Sequence, residues 1–97
     1  MKVKVVRIYL TEGKHTHREI FERLHNEHKV MGVTIFRGIS GFGKSGHMHS
    51  SALLDLSLNL PLVIEFFDDE EKINAALESI RDVLEPGNVL TFDAVLS

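Results

Sequence analysis

The order in which hydrophobic residues repeat along the chain constrains its fold more than any other feature. Residues 2–10, 33–39, 62–67 and 89–96 are rich in β-branched or alternating apolar residues, as strands are. Between them lie two stretches with helical periodicity, one of about fifteen residues from Thr16 and one that runs from Asp68 until Pro86-Gly87. The resulting order, β-α-β-β-α-β, predicts a ferredoxin-like α+β fold. Both helices are expected on one face of a four-stranded antiparallel sheet.

The start of each predicted helix carries a capping pattern. Thr16 and Glu19 have the spacing of a capping box, and Asp68 and Glu71 repeat that spacing before the second helix. We therefore expect Thr16 and Asp68 to act as the N-caps of the two helices.

The strands are apolar in both phases of their alternation. Val3 and Val5 alternate with Val6 and Ile8 in the first strand, and the strand at 62–67 behaves likewise. Because helices on one side cover only one face, a second apolar face requires another partner. The sequence therefore predicts a homo-oligomer that buries the helix-free face.

Four polar residues are assigned to that same helix-free phase. They are expected to form ion pairs between subunits or to be ordinary solvent-facing residues, and they are Arg7, Glu65, Thr91 and Asp93.

Length and composition exclude several classes of protein. With 97 residues, the chain is expected to form a single domain over residues 1–97. The net charge of −3 and the scattered basic residues give no nucleic-acid footprint. The absence of cysteine fits a reducing compartment, and no apolar run reaches the length of a signal peptide core or a membrane span. We expect a soluble, cytoplasmic protein without membrane insertion.

A glycine-rich stretch, SGFGKSGH at residues 40–47, is the first candidate for chemistry. Gly41, Gly43 and Gly46 permit backbone conformations in which successive N–H groups face an anion, and Lys44 adds a positive charge. The spacing matches neither a Walker loop nor a dinucleotide fingerprint. A plain flexible turn between two strands remains the alternative.

Histidines form the second candidate. His25 and His28 are neighbours on a helix and could share a metal, and His47 and His49 lie in the glycine-rich region. Surface histidines without a special role are the alternative. Serines near His47 are poorly placed for a catalytic triad, because a single loop would have to position every member. An acyl- or phosphoryl-transfer enzyme therefore lacks support, and we expect no enzyme activity.

The segments GVTIFRGISGFGKSGH and LNLPLVIEFF resemble the middle of PII signal-transduction proteins, whose pattern is approximately GMT, a strand, GFGRQKGH, a long loop and FLPKVKIEIVV. Closer still is the resemblance to an uncharacterised family of PII-like proteins with a histidine-bearing loop before an LS-x-x-LP segment. The resemblance covers nearly the whole chain. The family's nucleotidylylated tyrosine and the lysine of its last glycine-rich turn have no equivalents here.

The resemblance implies a homotrimer with ligand clefts between subunits, a responsive loop at residues 44–58, and a transporter or enzyme as the target. An adenine nucleotide or another small anion is the implied ligand. The implied ligand-binding residues are Thr34, Arg37, Gly41, Phe42, Gly43, Lys44, Gly46, His47 and Gly87. The alternative is a metal-binding trimer similar to the divalent-cation tolerance proteins, with His47 and His49 as ligands.

Overall fold

The structure is a computed structural model that describes residues 1–43, 48–50 and 60–97. Six strands and two α-helices form its regular elements within those residues. In chain order they are β1 (Lys2–Thr11), α1 (Thr16–Arg23), β2 (Gly32–Arg37), β3 (Ser40–Phe42), β4 (Met48–Ser50), β5 (Pro61–Asp68), α2 (Glu70–Ile80) and β6 (Val89–Val95). Single turns of 3₁₀-helix at Glu12–Lys14 and Arg81–Val83, and a π-helical turn at Leu24–His28, extend the ends of the helices.

The four long strands form one antiparallel sheet in the order β2-β5-β1-β6. This order places β1 and β5 in the centre of the sheet and β2 and β6 at its edges, as in the βαββαβ pattern, so the predicted ferredoxin-like fold is confirmed. The short strands β3 and β4 pair separately as a two-stranded hairpin.

The core lies between the helices and one face of the sheet. Val6 and Ile8 of β1 lie opposite Phe66 and Ile64 of β5, and all four side chains are fully buried. The helices contribute buried side chains at helical spacing to the same cluster, namely Ile20, Leu24, Ile73, Ala76 and Ile80. The apolar stripes read from the sequence are thus the faces that form the core.

The second face of the sheet has no helix from the described residues packed on it. Register places Arg7 opposite Glu65 there, and the guanidinium lies 3.0 Å from the carboxylate. Thr91 and Asp93 lie on the helix-covered side, because they are opposite Val6 and Lys4. Their assignment to the helix-free face was wrong, whereas Arg7 and Glu65 share it as expected.

Both predicted caps differ from the observed ones. His15, in a left-handed conformation with a φ of 57°, precedes α1 and makes no side-chain cap, and Thr16 is already helical. Before α2 the cap is Asp69, whose carboxylate accepts a hydrogen bond from the backbone N–H of Lys72. Asp68 is instead a buried end of β5 that accepts hydrogen bonds from the backbone N–H groups of Met31 and Asp69. The strand extends to Asp68, and the cap therefore moves one residue along.

Candidate functional site

The glycine-rich stretch leaves the sheet at a junction fixed by backbone hydrogen bonds. The N–H of Gly38 donates to the carbonyl of Pro61 at 2.7 Å, and the N–H of Glu12 donates to the carbonyl of Leu60 at 2.9 Å. Gly38 also has no room for a side chain, since an added Cβ would lie 2.8 Å from Cγ of Pro61. The departure and the return of the chain are therefore held together at one end of the sheet, beside the end of β1.

Beyond this junction the hairpin of β3 and β4 carries part of the predicted site. Gly41 lies opposite His49, and Phe42 opposite Met48. The Phe42 ring is 75% exposed, which leaves a large apolar side chain in solvent next to Gly43. Three predicted site residues, Lys44, Gly46 and His47, lie outside the described residues, as does most of the loop at 44–58.

Arg37 ends β2 at this junction and is bound to an acidic partner. Its guanidinium Nη2 donates to Oε1 of Glu12, a residue of the 3₁₀ turn that follows β1. The Arg37 side chain is 63% exposed, whereas that of Glu12 is only 11% exposed. Sequence reasoning did not single out Glu12, because a single glutamate 25 residues from Arg37 carries no local signal.

Two histidines border the same turn. The rings of His15 and His17 lie 6.2 Å apart between centroids. Burial lowers the pKa of His17, the positive charge of Arg18 and the neighbouring His15 add to that effect, and the Glu12 carboxylate opposes it. Nδ1 of His17 is buried and has no hydrogen-bond partner within the described part of the chain. The junction therefore gathers one carboxylate, one guanidinium and two imidazoles.

The remaining predicted site residues lie elsewhere. Thr34 is opposite Glu65 on the helix-free face, whereas Arg37 follows the phase of the helix-covered face, so the two side chains do not converge within one chain. Gly87 adopts a φ of 86° in the turn before β6, which is a conformation that favours glycine. The next residue, Asn88, accepts a hydrogen bond from the backbone N–H of Tyr9 on β1.

The helix-free face forms a second surface of interest. The Arg7 guanidinium carbon lies 5.1 Å from the centre of the Phe92 ring while its Nε donates to Glu65. Around this pair lie exposed large apolar side chains of β1, β2 and β6, namely Tyr9, Phe36, Leu90 and Phe92. A charged pair is thus set into an apolar surface.

The described residues give no metal centre. His25 stacks on Phe21 and its Nδ1 lies 2.9 Å from the side-chain oxygen of Asn26, and Nε2 of His28 is buried without a partner among the residues described. No group of three or more histidine, cysteine, aspartate or glutamate side chains with metal-binding geometry occurs within residues 1–43, 48–50 and 60–97. The side chains of His47 and His49 lie outside this description.

Comparison with known proteins identifies relatives along most of the chain. A protein-family model, DUF190, described as Uncharacterized ACR, COG1993, matches residues 3–95. A UPF0166 protein of Aquifex aeolicus is 37% identical over 86 residues, which are 84% of this chain and 81% of the relative. Among the described helices, none is long and apolar enough to cross a membrane.

Solved structures share the fold. CPII from Thiomonas intermedia K12, a nitrogen regulatory PII-like protein bound to ADP, AMP and bicarbonate, superposes with a TM-score of 0.69 at 25% identity. The match covers 97% of this chain and 87% of that one. The divalent ion tolerance protein CutA1 from Ehrlichia chaffeensis has a TM-score of 0.65 at 14% identity, over 98% of this chain and 83% of its own, and shows likeness of fold alone.

Proposed function

This chain belongs to the DUF190 family, within the PII-like group of folds, and we propose that it is a non-catalytic regulatory protein that binds a small anion. The likeness to a PII-like protein bound to ADP, AMP and bicarbonate, over nearly the whole chain, is the observation that carries this proposal. The ligand class is an oxyanion, with adenine nucleotides and bicarbonate as the candidates.

The proposed ligand site lies at the junction where the glycine-rich stretch leaves the sheet. Arg37 presents an exposed guanidinium there, and guanidinium groups match the geometry of phosphate and carboxylate oxygens. Gly41 and Gly43 carry no side chains beside the exposed Phe42, and Lys44 is the residue of the GFGK motif that would add a second cation. Binding at this place would reach the segment at 44–58, through which we propose that the protein signals to a transporter or an enzyme.

We also propose that the assembled form is a homotrimer built on the helix-free face. Tyr9, Phe36 and Leu90 are each about half exposed on this face, although large aromatic and aliphatic side chains usually become buried. The Arg7–Glu65 pair within one chain removes the cost of burying either charge alone. A second copy is therefore a suitable cover, and the ligand site would lie close to the boundary between subunits.

The ligand proposal is tested by thermal unfolding and calorimetric titration against ADP, ATP, AMP, bicarbonate and divalent metals. A ligand at about a hundred times its Kd stabilises the native state by roughly 2.7 kcal/mol, which raises the Tm of a small domain by several degrees or more. Lys44→Ala should weaken binding, whereas Lys72→Ala, a change at an exposed helical lysine, should not. Stabilisation by a divalent metal without any anion would contradict the proposal and favour a histidine metal site.

The trimer proposal has a matched pair of variants. Phe36→Glu places a charge on the helix-free face, and Phe21→Glu places the same charge on α1, where the ring is comparably exposed. Light scattering after size-exclusion chromatography should give a trimer for the wild type and for Phe21→Glu, and a monomer for Phe36→Glu. A monomeric wild type, or a trimer that tolerates Phe36→Glu, would refute the assignment of this face.

A further inference from the structure

The Glu12–Arg37 pair is asymmetric in its exposure. The Arg37 side chain is 63% exposed and that of Glu12 is 11% exposed, so solvent reaches the cation while the carboxylate faces the protein. An exposed arginine in an ion pair is usually a surface feature of little consequence. This one differs because its partner is buried and cannot follow it into solvent.

Both partners are attached to the junction of the candidate site. Arg37 precedes Gly38, whose N–H donates to the carbonyl of Pro61, and the N–H of Glu12 donates to the carbonyl of Leu60. The ion pair therefore joins the segment through which the chain leaves the sheet to the turn after β1, which in turn is hydrogen-bonded to the segment that re-enters the sheet. An event that separates Glu12 from Arg37 acts directly on that junction.

Glu12 supplies the guanidinium with the same chemistry that an external ligand would bring. A carboxylate and a phosphate or bicarbonate oxygen occupy the same donor groups of an arginine. We propose that Glu12 is an internal competitor for Arg37, so that a ligand oxyanion binds by displacing the Glu12 carboxylate from the guanidinium. This inference rests on the proposed function and adds to it a built-in inhibitory contact, which sets the ligand concentration at which the site is occupied.

Displacement leaves the buried Glu12 carboxylate without its cation, which is costly unless another positive charge replaces it. His17 lies in the first turn of α1, five residues after Glu12, and its buried Nδ1 has no hydrogen-bond partner among the described residues, so a protonated His17 can supply that charge. The charged and titratable side chains that act on it are Glu12, His15, Arg18 and Arg37, and among these only Glu12 favours its protonated form. Movement of Arg37 toward a ligand removes one repulsive charge and leaves Glu12 attractive, so His17 takes up a proton from solvent. Ligand binding then strengthens as the pH falls through the titration of His17.

The test compares the wild type with four variants by calorimetric titration with ADP, and separately with inorganic pyrophosphate and bicarbonate. Glu12→Gln keeps the shape of the side chain but removes its charge, and should tighten binding about fivefold, the range expected for release of a partly exposed ion pair. Arg37→Met should weaken binding about tenfold. The double variant should match Arg37→Met, because Glu12 acts only through the arginine. Glu19→Gln, which alters an arginine–glutamate pair on α1, is the matched control and should bind like the wild type.

The outcomes distinguish failure of the competitor role of Glu12 from failure of the anion-binding function itself. Unchanged or weaker binding by Glu12→Gln, with Arg37→Met still weakened, would overturn the competitor role and leave the anion-binding function intact. A fivefold gain that persists in the Arg37→Met background would overturn it as well. If neither the wild type nor Glu12→Gln binds any of the three anions, both proposals fail. Binding seen only in Glu12→Gln would support the inhibitory contact in its strongest form.

The proton-linked step has its own readout. Between pH 5 and 8, about the range in which histidine titrates, wild-type affinity should rise as the pH falls, and titrations in buffers of different ionisation enthalpy should report net proton uptake. His17→Gln should abolish this uptake, while His25→Gln, a change at an exposed histidine of α1's π-helical extension, should retain it. Uptake that survives in His17→Gln would assign the proton to another group.

Discussion

Replacement of Gly32 by alanine is expected to destabilise the protein through a single side-chain collision. Gly32 opens β2 opposite Phe67 of β5, on the helix-free face. A Cβ added there would lie 2.7 Å from Cζ and 2.8 Å from Cε1 of the Phe67 ring. Carbon atoms pack best at about 3.5–4.0 Å, so the ring must move by roughly 0.7 Å or more. Phe67 is only partly exposed, and its other neighbour in the register, Val5, is buried, so the ring packs against the sheet on that side.

The expected magnitude follows from two opposing effects. Overpacking of a fitted site costs about 1–3 kcal/mol. Alanine also restricts the unfolded chain, which stabilises the folded state by roughly 0.4–1 kcal/mol where the conformation suits it. Gly43→Ala isolates this second effect, because nothing lies within 4 Å of the added Cβ. The free energy of unfolding should therefore differ by about 1–3 kcal/mol between the two variants.

Urea unfolding measured at one protomer concentration is the assay, because the stability of a protein that assembles depends on its concentration. Phe67→Leu provides the internal check, since a smaller and more flexible side chain should remove at least half of the penalty of Gly32→Ala. Equal midpoints for Gly32→Ala and Gly43→Ala would refute the collision. A penalty that is unchanged in the Phe67→Leu background would assign the cost to the backbone of β2 instead.

Three smaller predictions concern the helices. Asp69→Ala should lower the free energy of unfolding by about 1 kcal/mol through loss of the N-cap of α2, and Asp69→Ser should restore most of it; no loss on thermal unfolding would contradict the cap. Lys29 has a φ of 47°, so Lys29→Gly should raise the Tm by relieving a conformation that costs about 1 kcal/mol or more; a lowered Tm would contradict this. The pKa of His17, measured by NMR, should lie below the ordinary histidine value because burial opposes its charge. The unfolded chain then binds the proton more readily than the folded protein does. The free energy of unfolding is therefore raised at pH values above the ordinary histidine pKa, and this gain is lost as the pH falls through the pKa that His17 has in the folded protein. His17→Gln should remove that part of the pH dependence.

The fold was predictable because each element carries its own period. The stripe that includes Ile73, Ala76 and Ile80 needs no knowledge of the rest of the chain to be recognised as a helix face, and the structure buries all three completely. The exact ends were less predictable, as Asp68 and Asp69 show. Both are acidic residues before a helix, and the extent of β5 decides which of them becomes the cap.

The face of the sheet on which a strand residue lies, and the pairs that meet across the fold, could not be predicted from the sequence, for a physical reason. Thr91 and Asp93 were assigned to the wrong face, because alternation within β6 gives two sets of residues but does not say which set faces the helices. Glu12 was missed because its contact with Arg37 forms only when the two segments meet in the fold. The resemblance of the glycine-rich stretch to the PII family directs attention to this region, while the ion pair at its base is visible only once the chain is folded.

Along β2, the proposed subunit interface and the proposed ligand site are one residue apart. Phe36 is in register with Val63 on the helix-free face, and Arg37 follows it in the opposite phase at the end of the strand. If subunits cover the helix-free face, Phe36 becomes part of their interface and Arg37 lies at its rim. Subunit contact and Glu12 would then both act on the position of β2's last residue. Loss of ligand binding in a monomeric Phe36→Glu variant would therefore be the expected consequence of one strand serving both surfaces, and retention of full affinity would separate the ligand site from the assembly.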